Sequence, residues 1–252
     1  MSTAPRTGSR TLAGKTALVT GGSRGVGAAA ARILASRGAR VAVNYRDKVR
    51  RAEGVIAEIE TAGSSGITVL ADITDPGSVA KMFDAIKSQF RTLDLLILNA
   101  SGGLEKDAAA NYAMLLNRDA QVELVERALP IMPPGSRVVF VTSHLAHFHG
   151  EQPVLPEYEP VAASKKAGEI ALRDRIPLLT DAGVSLVVVS GDLIDGTITP
   201  KLLDRMRPGM IEQRRAEAGR LPTTEDFATA IVDAAESDEL LTGDTVYVGQ
   251  TE

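Results

Sequence analysis

The chain has 252 residues, 44% of them hydrophobic and 24% charged, with a formal net charge of −4 and no cysteine. That size suits one α/β domain with a sizeable core. The acidic balance argues against a nucleic-acid binder, and a chain without thiols has no disulfides, no thiolate nucleophile and no cysteine metal site. No apolar run reaches the length of a membrane span, and the N-terminus lacks a hydrophobic signal core. Residues 1–13 read as a polar, flexible tail, and the whole fits a cytoplasmic protein.

The first strand candidate, 16–20, is a short β-branched run that stops at Gly21. Gly21, Gly25 and Gly27, with Ser23, Arg24 and Val26 between them, open an alanine-rich helix over 25–37. Glycine lets the backbone turn tightly and approach a pyrophosphate, and the helix N-terminus supplies free N–H donors and a favourable dipole. The position of this turn between strand and helix points to a dinucleotide. The second strand, 41–44, lies where the ribose-reading residue is expected, but it runs into Asn44-Tyr45-Arg46 rather than ending on a carboxylate. Arg46 and Arg24 can form a cationic fork around a 2′-phosphate, which favours NADP(H) over NAD(H). Two solvated surface arginines, with Asp47 turned inward to the ribose, are the alternative.

Further strand candidates follow at 67–70, 94–98, 137–142, 185–190 and 245–248. Helical patterns fill 49–62, 77–90, 108–130, 161–180 and 225–236. The strands are continuous apolar runs, as in a sheet covered on both faces, and the alternation predicts a single-domain, Rossmann-like, doubly wound parallel sheet of about seven strands. An insert at 191–224, rich in glycine and proline, reads as a loop with one or two short helices and as a candidate substrate lid.

The pattern Thr20-Gly21-x-x-x-Gly25-x-Gly27 resembles that of the short-chain dehydrogenase/reductase family, and the resemblance extends over nearly the whole chain. Ala71-Asp72-Ile73 is similar to the family's adenine-contacting segment, and Asn99-Ala100-Ser101-Gly102 to its motif after the fourth strand. Asn117 falls where the family has a structural and catalytic asparagine, Ser143 at its active-site serine, and Ala163-Ser164-Lys165 on its Tyr-x-x-x-Lys helix. Leu241-Thr242-Gly243 is a further signature. Two positions depart from the pattern. The residue four before Lys165 is Val161, and the only nearby tyrosine is Tyr158, seven residues before the lysine. The usual Pro-Gly after strand six reads Ser190-Gly191-Asp192.

The resemblance implies a reductase in which Tyr158 donates a proton, Ser143 binds the carbonyl oxygen, and Lys165 holds the nicotinamide ribose and eases proton release. Pro160 suits the first turn of a helix, which puts Tyr158 just outside it, free to turn toward the cleft. A packing tyrosine, with water or Ser143 relaying the proton, is the competing reading. Ser190, Gly191, Asp192, Leu193 and Ile194 are expected beside the nicotinamide. His144, His147 and His149 follow Ser143 directly, and His144 and His147 are read as pocket-lining residues, against solvated loop histidines or a zinc site. Shorter matches at 98–103, 141–144, 158–162 and 190–197 resemble an actinobacterial branch of ketoreductases that tailor angucycline-type aromatic polyketides, which implies a flat polycyclic substrate. Reduction of acyl thioesters or small carbonyl compounds, and a non-catalytic NADP(H)-binding regulator, stand as alternatives. The family also implies a homo-oligomer, a dimer or tetramer built on the long fourth and fifth helices.

Overall fold

The apolar runs form strands, the central ones covered on both faces. A computed structural model describes residues 11–104 and 109–251. Thr16–Val19 (β1), Arg40–Tyr45 (β2), Gly66–Leu70 (β3), Leu95–Leu98 (β4), Arg137–Ser143 (β5), Ser185–Gly191 (β6) and Thr245–Val248 (β7) form one parallel sheet, ordered β3-β2-β1-β4-β5-β6-β7. The connections reverse direction between β1 and β4, which opens a crevice at the carboxyl ends of the central strands.

Side chains along the central strands alternate between two cores. Ala17, Val19, Val41, Val43 and Ile97 pack on one face against Gly25–Ser36 (α1), Val49–Thr61 (α2) and Thr224–Glu236 (α11). The buried alanines Ala28–Ala31 let α1 lie close to the sheet. Leu18, Leu96, Leu98, Val138 and Val188 pack on the other face against Pro76–Phe90 (α3) and Ala120–Ala128 (α5). Side-chain caps set the starts of two helices. Asp75 caps α3 by accepting from Gly77 N and Ser78 N, and Thr223 with Asp226 forms a capping box at α11.

Residues 1–10 of the expected tail lie outside the described residues; within it, Leu12 is buried and donates its N–H to Arg37 O. Two long helices expected from periodicity are interrupted. The pattern at 108–130, whose first residue lies outside the described ones, resolves into a turn at Tyr112–Met114 (α4), a π-helical turn at Leu115–Asp119, α5, and a 3₁₀ turn at Leu129–Ile131. The pattern at 161–180 splits into Glu159–Arg173 (α7) and Ile176–Asp181 (α8), because Pro177 has no N–H and its ring would clash with the carbonyl one turn back. The insert at 191–224 contains Ile198–Met206 (α9) and Met210–Ala218 (α10), and His144–His147 forms a short turn, α6, directly after β5.

The π turn and α7 meet at Gly168. A Cβ there would stand 2.0 Å from the backbone oxygen of Asn117. Backbone cannot move away as a flexible side chain can, so Gly168→Ala is expected to destabilise the protein by about 2–3 kcal/mol. This would lower Tm by roughly 5–10 °C in a thermal melt.

Candidate active site

A cleft of about 830 Å³ lies across the carboxyl ends of β1, β2, β4, β5 and β6. At its centre is the glycine turn. Gly21 and Gly25 have φ of 62° and 54°, the left-handed region that glycine enters freely. Gly27 is required for a different reason: a Cβ there would be 2.5 Å from Asn99 Nδ2 and 2.6 Å from Gly21 O. Asn99 ties this turn to β4 by donating from Nδ2 to Thr20 O (2.9 Å), while the N–H groups of Asn99 and Ala100 donate to Thr20 Oγ1 (both 3.0 Å). Asn44 ties it to β2 and β3. Its Oδ1 accepts from Gly21 N (3.1 Å) and its Nδ2 donates to Val69 O and Ala71 O. Asn44 therefore lines the cleft with its amide already engaged, as a brace for the turn.

Ser23, Arg24, Val26, Tyr45, Arg46, Asp72, Ile73, Ser101 and Gly102 line the same cleft, and Lys48 and Arg51 add two cations that the sequence reading did not single out. Arg46 donates to the Tyr112 hydroxyl (2.7 Å). Its pKa is raised, chiefly by Tyr112, with Asp72 and Asp47 adding to it. The Asp72 carboxylate accepts from Thr74 N and Oγ1, shaping the turn after β3.

On the β5–β6 flank the cleft is lined by Thr142, Ser143, Tyr158, Lys165, Gly191, Asp192, Leu193 and Ile194. Ser143 Oγ and Thr142 Oγ1 are buried, and Thr142 Oγ1 has no hydrogen-bond partner among the described residues. Tyr158 is the N-cap residue of α7 and is buried among Ala146, Val161, Ala162 and Leu203. Burial pushes its phenol pKa up, and the Ser143 hydroxyl beside it pulls in the opposite direction. Lys165 is buried, and burial pushes its pKa down to about 8. Asn117, in the π turn, donates from Nδ2 to Gly102 O (2.9 Å) and Ser164 Oγ (3.0 Å), and its Oδ1 accepts from Gly102 N. It braces the cleft wall against α7 and is not among the lining residues.

Three expected contacts are corrected. Ser190, His144 and His147 do not line the cleft. The α6 turn carries the histidines away from the cleft, toward β6 and β7. His144 Nδ1 pairs with Ser190 Oγ (2.8 Å), and burial pushes its pKa down to about 4. His147 bridges Glu169 (2.8 Å) and the Tyr247 hydroxyl (3.0 Å), within an aromatic group that includes Phe148. His149 pairs with Glu159 (2.6 Å). Among the described residues no three His, Asp or Glu side chains gather as a metal site. The expected substrate contact Asp192 lines the cleft, but its carboxylate is engaged by Arg214 of α10, whose Nε lies 3.1–3.2 Å from both oxygens and whose Nη2 lies 3.0 Å from one. This pair joins two separate parts of the insert, and sequence spacing carries no signal for it.

The family model for short chain dehydrogenase matches residues 15–204. The chain belongs to that family. Versicolorin reductase stcU of Emericella nidulans is 35% identical over 168 residues, 64% of this chain and 62% of that protein. Hydroxynaphthalene reductase-like protein Arp2 of Metarhizium majus is 34% identical over 72% of this chain and 67% of its own length. Among solved structures, the promiscuous reductase LugOII, which catalyses keto-reduction at C1 during lugdunomycin biosynthesis, superposes with a TM-score of 0.81 at 29% identity, covering 96% of this chain and 99% of its own. The angucycline C-6 ketoreductase LanV with bound NADP gives 0.80 at 29% identity, covering 96% of each chain. The chain is thus an oxidoreductase of the nicotinamide-dependent kind. Its cleft fits NADP(H): a glycine turn with no room for a Cβ at Gly27, a cationic rim at Arg24, Arg46, Lys48 and Arg51, and a buried Thr142 hydroxyl open to a partner.

Proposed function

We propose that the chain is an NADPH-dependent ketoreductase acting on a ring ketone of a polycyclic aromatic polyketide of the angucyclinone type, in the formation of an antibiotic. The observation that carries the reading is the grouping of Ser143, Tyr158 and Lys165 on one wall of the cleft, with the buried Ser143 hydroxyl beside a buried phenol. The α1 N-terminus would hold the pyrophosphate, Arg24 and Arg46 the 2′-phosphate, Asp72 and Ile73 the adenine, and Lys165 the nicotinamide ribose. When bound, NADPH supplies the hydride for the carbonyl carbon. The Ser143 hydroxyl donates a hydrogen bond to the carbonyl oxygen, and Tyr158 delivers the proton to it. Burial raises the Tyr158 pKa above the ordinary phenol value and so favours the protonated phenol, the state a proton donor needs. A charged Lys165 favours the phenolate left after transfer. Leu193, Ile194, Gly196, Thr197, Pro200 and Leu202 of the insert line the cleft, and the insert would act as the lid over a flat substrate. Support for the substrate class comes from LugOII and from LanV solved with NADP and rabelomycin.

NADPH oxidation with a panel comprising a quinone-bearing tetracyclic ketone, a small cyclic ketone and an acetoacetyl thioester tests this. The tetracyclic ketone is expected to give a kcat/KM at least about tenfold above the others. Faster turnover of the thioester would overturn the substrate assignment. Tight NADPH binding with no turnover of any ketone would instead indicate a non-catalytic NADP(H)-binding protein.

A further inference from the structure

We propose that Tyr112 is a positioning residue that presents the Arg46 guanidinium to the cofactor's 2′-phosphate and so sets the preference of this chain for a 2′-phosphorylated cofactor. The proposal rests on the reading that Arg46 meets that phosphate. β2, which ends beside Arg46, and β4, which leads toward α4, flank β1 on opposite sides in the sheet. The hydrogen bond from Arg46 Nη1 to Tyr112 Oη (2.7 Å) therefore bridges the cleft on the adenosine side of the glycine turn, and both residues line it. Tyr112 is half-buried, its ring packed against the core beneath α4, whereas Arg46 is exposed. A long flexible arginine is thereby held by a short, anchored aromatic side chain.

The chemistry of the partner matters. A carboxylate in the same place would neutralise the guanidinium and repel a phosphate. A phenol oxygen accepts one hydrogen bond and leaves the positive charge, with the remaining N–H donors, available to an anion. Pre-ordering of this kind reduces the rotamer entropy lost when the phosphate binds. It adds nothing to a ligand that ends in a free 2′-hydroxyl.

Calorimetric titration of the purified protein with 2′,5′-ADP and with 5′-AMP tests this without turnover. Tyr112→Phe is expected to weaken 2′,5′-ADP about fivefold and 5′-AMP by less than about twofold, the size of one hydrogen bond. In an Arg46→Ala background, Tyr112→Phe should cause no further loss. Equal weakening of both ligands, no weakening of either, or further loss of 2′,5′-ADP affinity without Arg46 would overturn the proposal. If Arg46→Ala itself leaves the ratio of the two affinities unchanged, the assignment of Arg46 to the 2′-phosphate falls and the proposal with it. If Arg46→Ala collapses the ratio but Tyr112→Phe does not, only the role of Tyr112 is refuted.

Discussion

Tyr158→Phe is expected to lower kcat for ketone reduction by about 10²–10⁴-fold, the usual contribution of a positioned general acid. The affinity for NADPH, measured by fluorescence titration, should change by less than about twofold, because the phenol lies on the β5–β6 flank, opposite Arg46 and the adenosine side. The ring itself packs among Ala146, Val161, Ala162 and Leu203, and phenylalanine preserves those contacts. Val161, one helical turn beyond Tyr158, is itself buried on the cleft wall. Tyr158 N donates to Leu155 O, and Tyr158 O accepts from Val161 N and Ala162 N, which fixes the direction in which the side chain leaves the helix. Turnover within about threefold of the parent would show that the proton comes from elsewhere, by water or through Ser143.

Lys165→Met should have a comparably large effect, in two opposite directions. Removing the ammonium is expected to weaken NADPH by at least about tenfold and to reduce kcat by roughly 10²-fold, as expected for a buried charged contact made to cofactor and acid together. Stability should move the other way. Burial has lowered the folded-state pKa of Lys165 to about 8, below that of the unfolded chain, so folding at neutral pH carries the cost of a buried charge. That cost is relieved as pH rises through about 8 and toward the unfolded value. Methionine avoids it at every pH, and a higher Tm for the variant at pH 7 is the expected result in a thermal melt. The same titration gives NADPH affinity a pH dependence. In the parent, binding should weaken as pH rises through about 8 and the ammonium is lost, and this step should be absent from the variant. A flat binding profile in the parent would remove Lys165 from the cofactor site.

Much of this was legible before any coordinates, and for physical reasons. A parallel strand buried on both faces is a continuous apolar run, so 16–20, 94–98, 137–142 and 185–190 match β1, β4, β5 and β6 to within a residue at either end. The glycine turn was legible because glycine enters the left-handed φ of Gly21 and Gly25 at little cost and because the contacts at Gly27 leave no room for a Cβ. The helices were read less well. Hydrophobic periodicity does not register the single inserted residue of a π turn, so the interruption at Leu115–Asp119 was missed, and with it the close approach of Gly168 to Asn117 O. Pro177 did carry a signal for the break between α7 and α8. Adjacency in sequence to Ser143 does not bring the histidines to the cleft. The α6 turn swings His144 toward Ser190 and His147 toward Glu169 and Tyr247.

What the sequence determined by itself is therefore whatever depends on residue type and local order: a doubly wound sheet, a glycine turn at the head of α1, an arginine rather than an acid after β2, and a serine and a lysine in family register. What only the tertiary structure decided depends on which distant side chains meet. It brought Tyr158 to Ser143, spent Asn44 and Asp192 on internal partners, removed three residues from the pocket, and set Tyr112 across the cleft from Arg46. Pairs such as Asp192 with Arg214, or Arg46 with Tyr112, lie 22 and 66 residues apart and leave no periodic or motif-like trace. Their geometry is fixed by the packing of whole helices and strands, which no local pattern encodes.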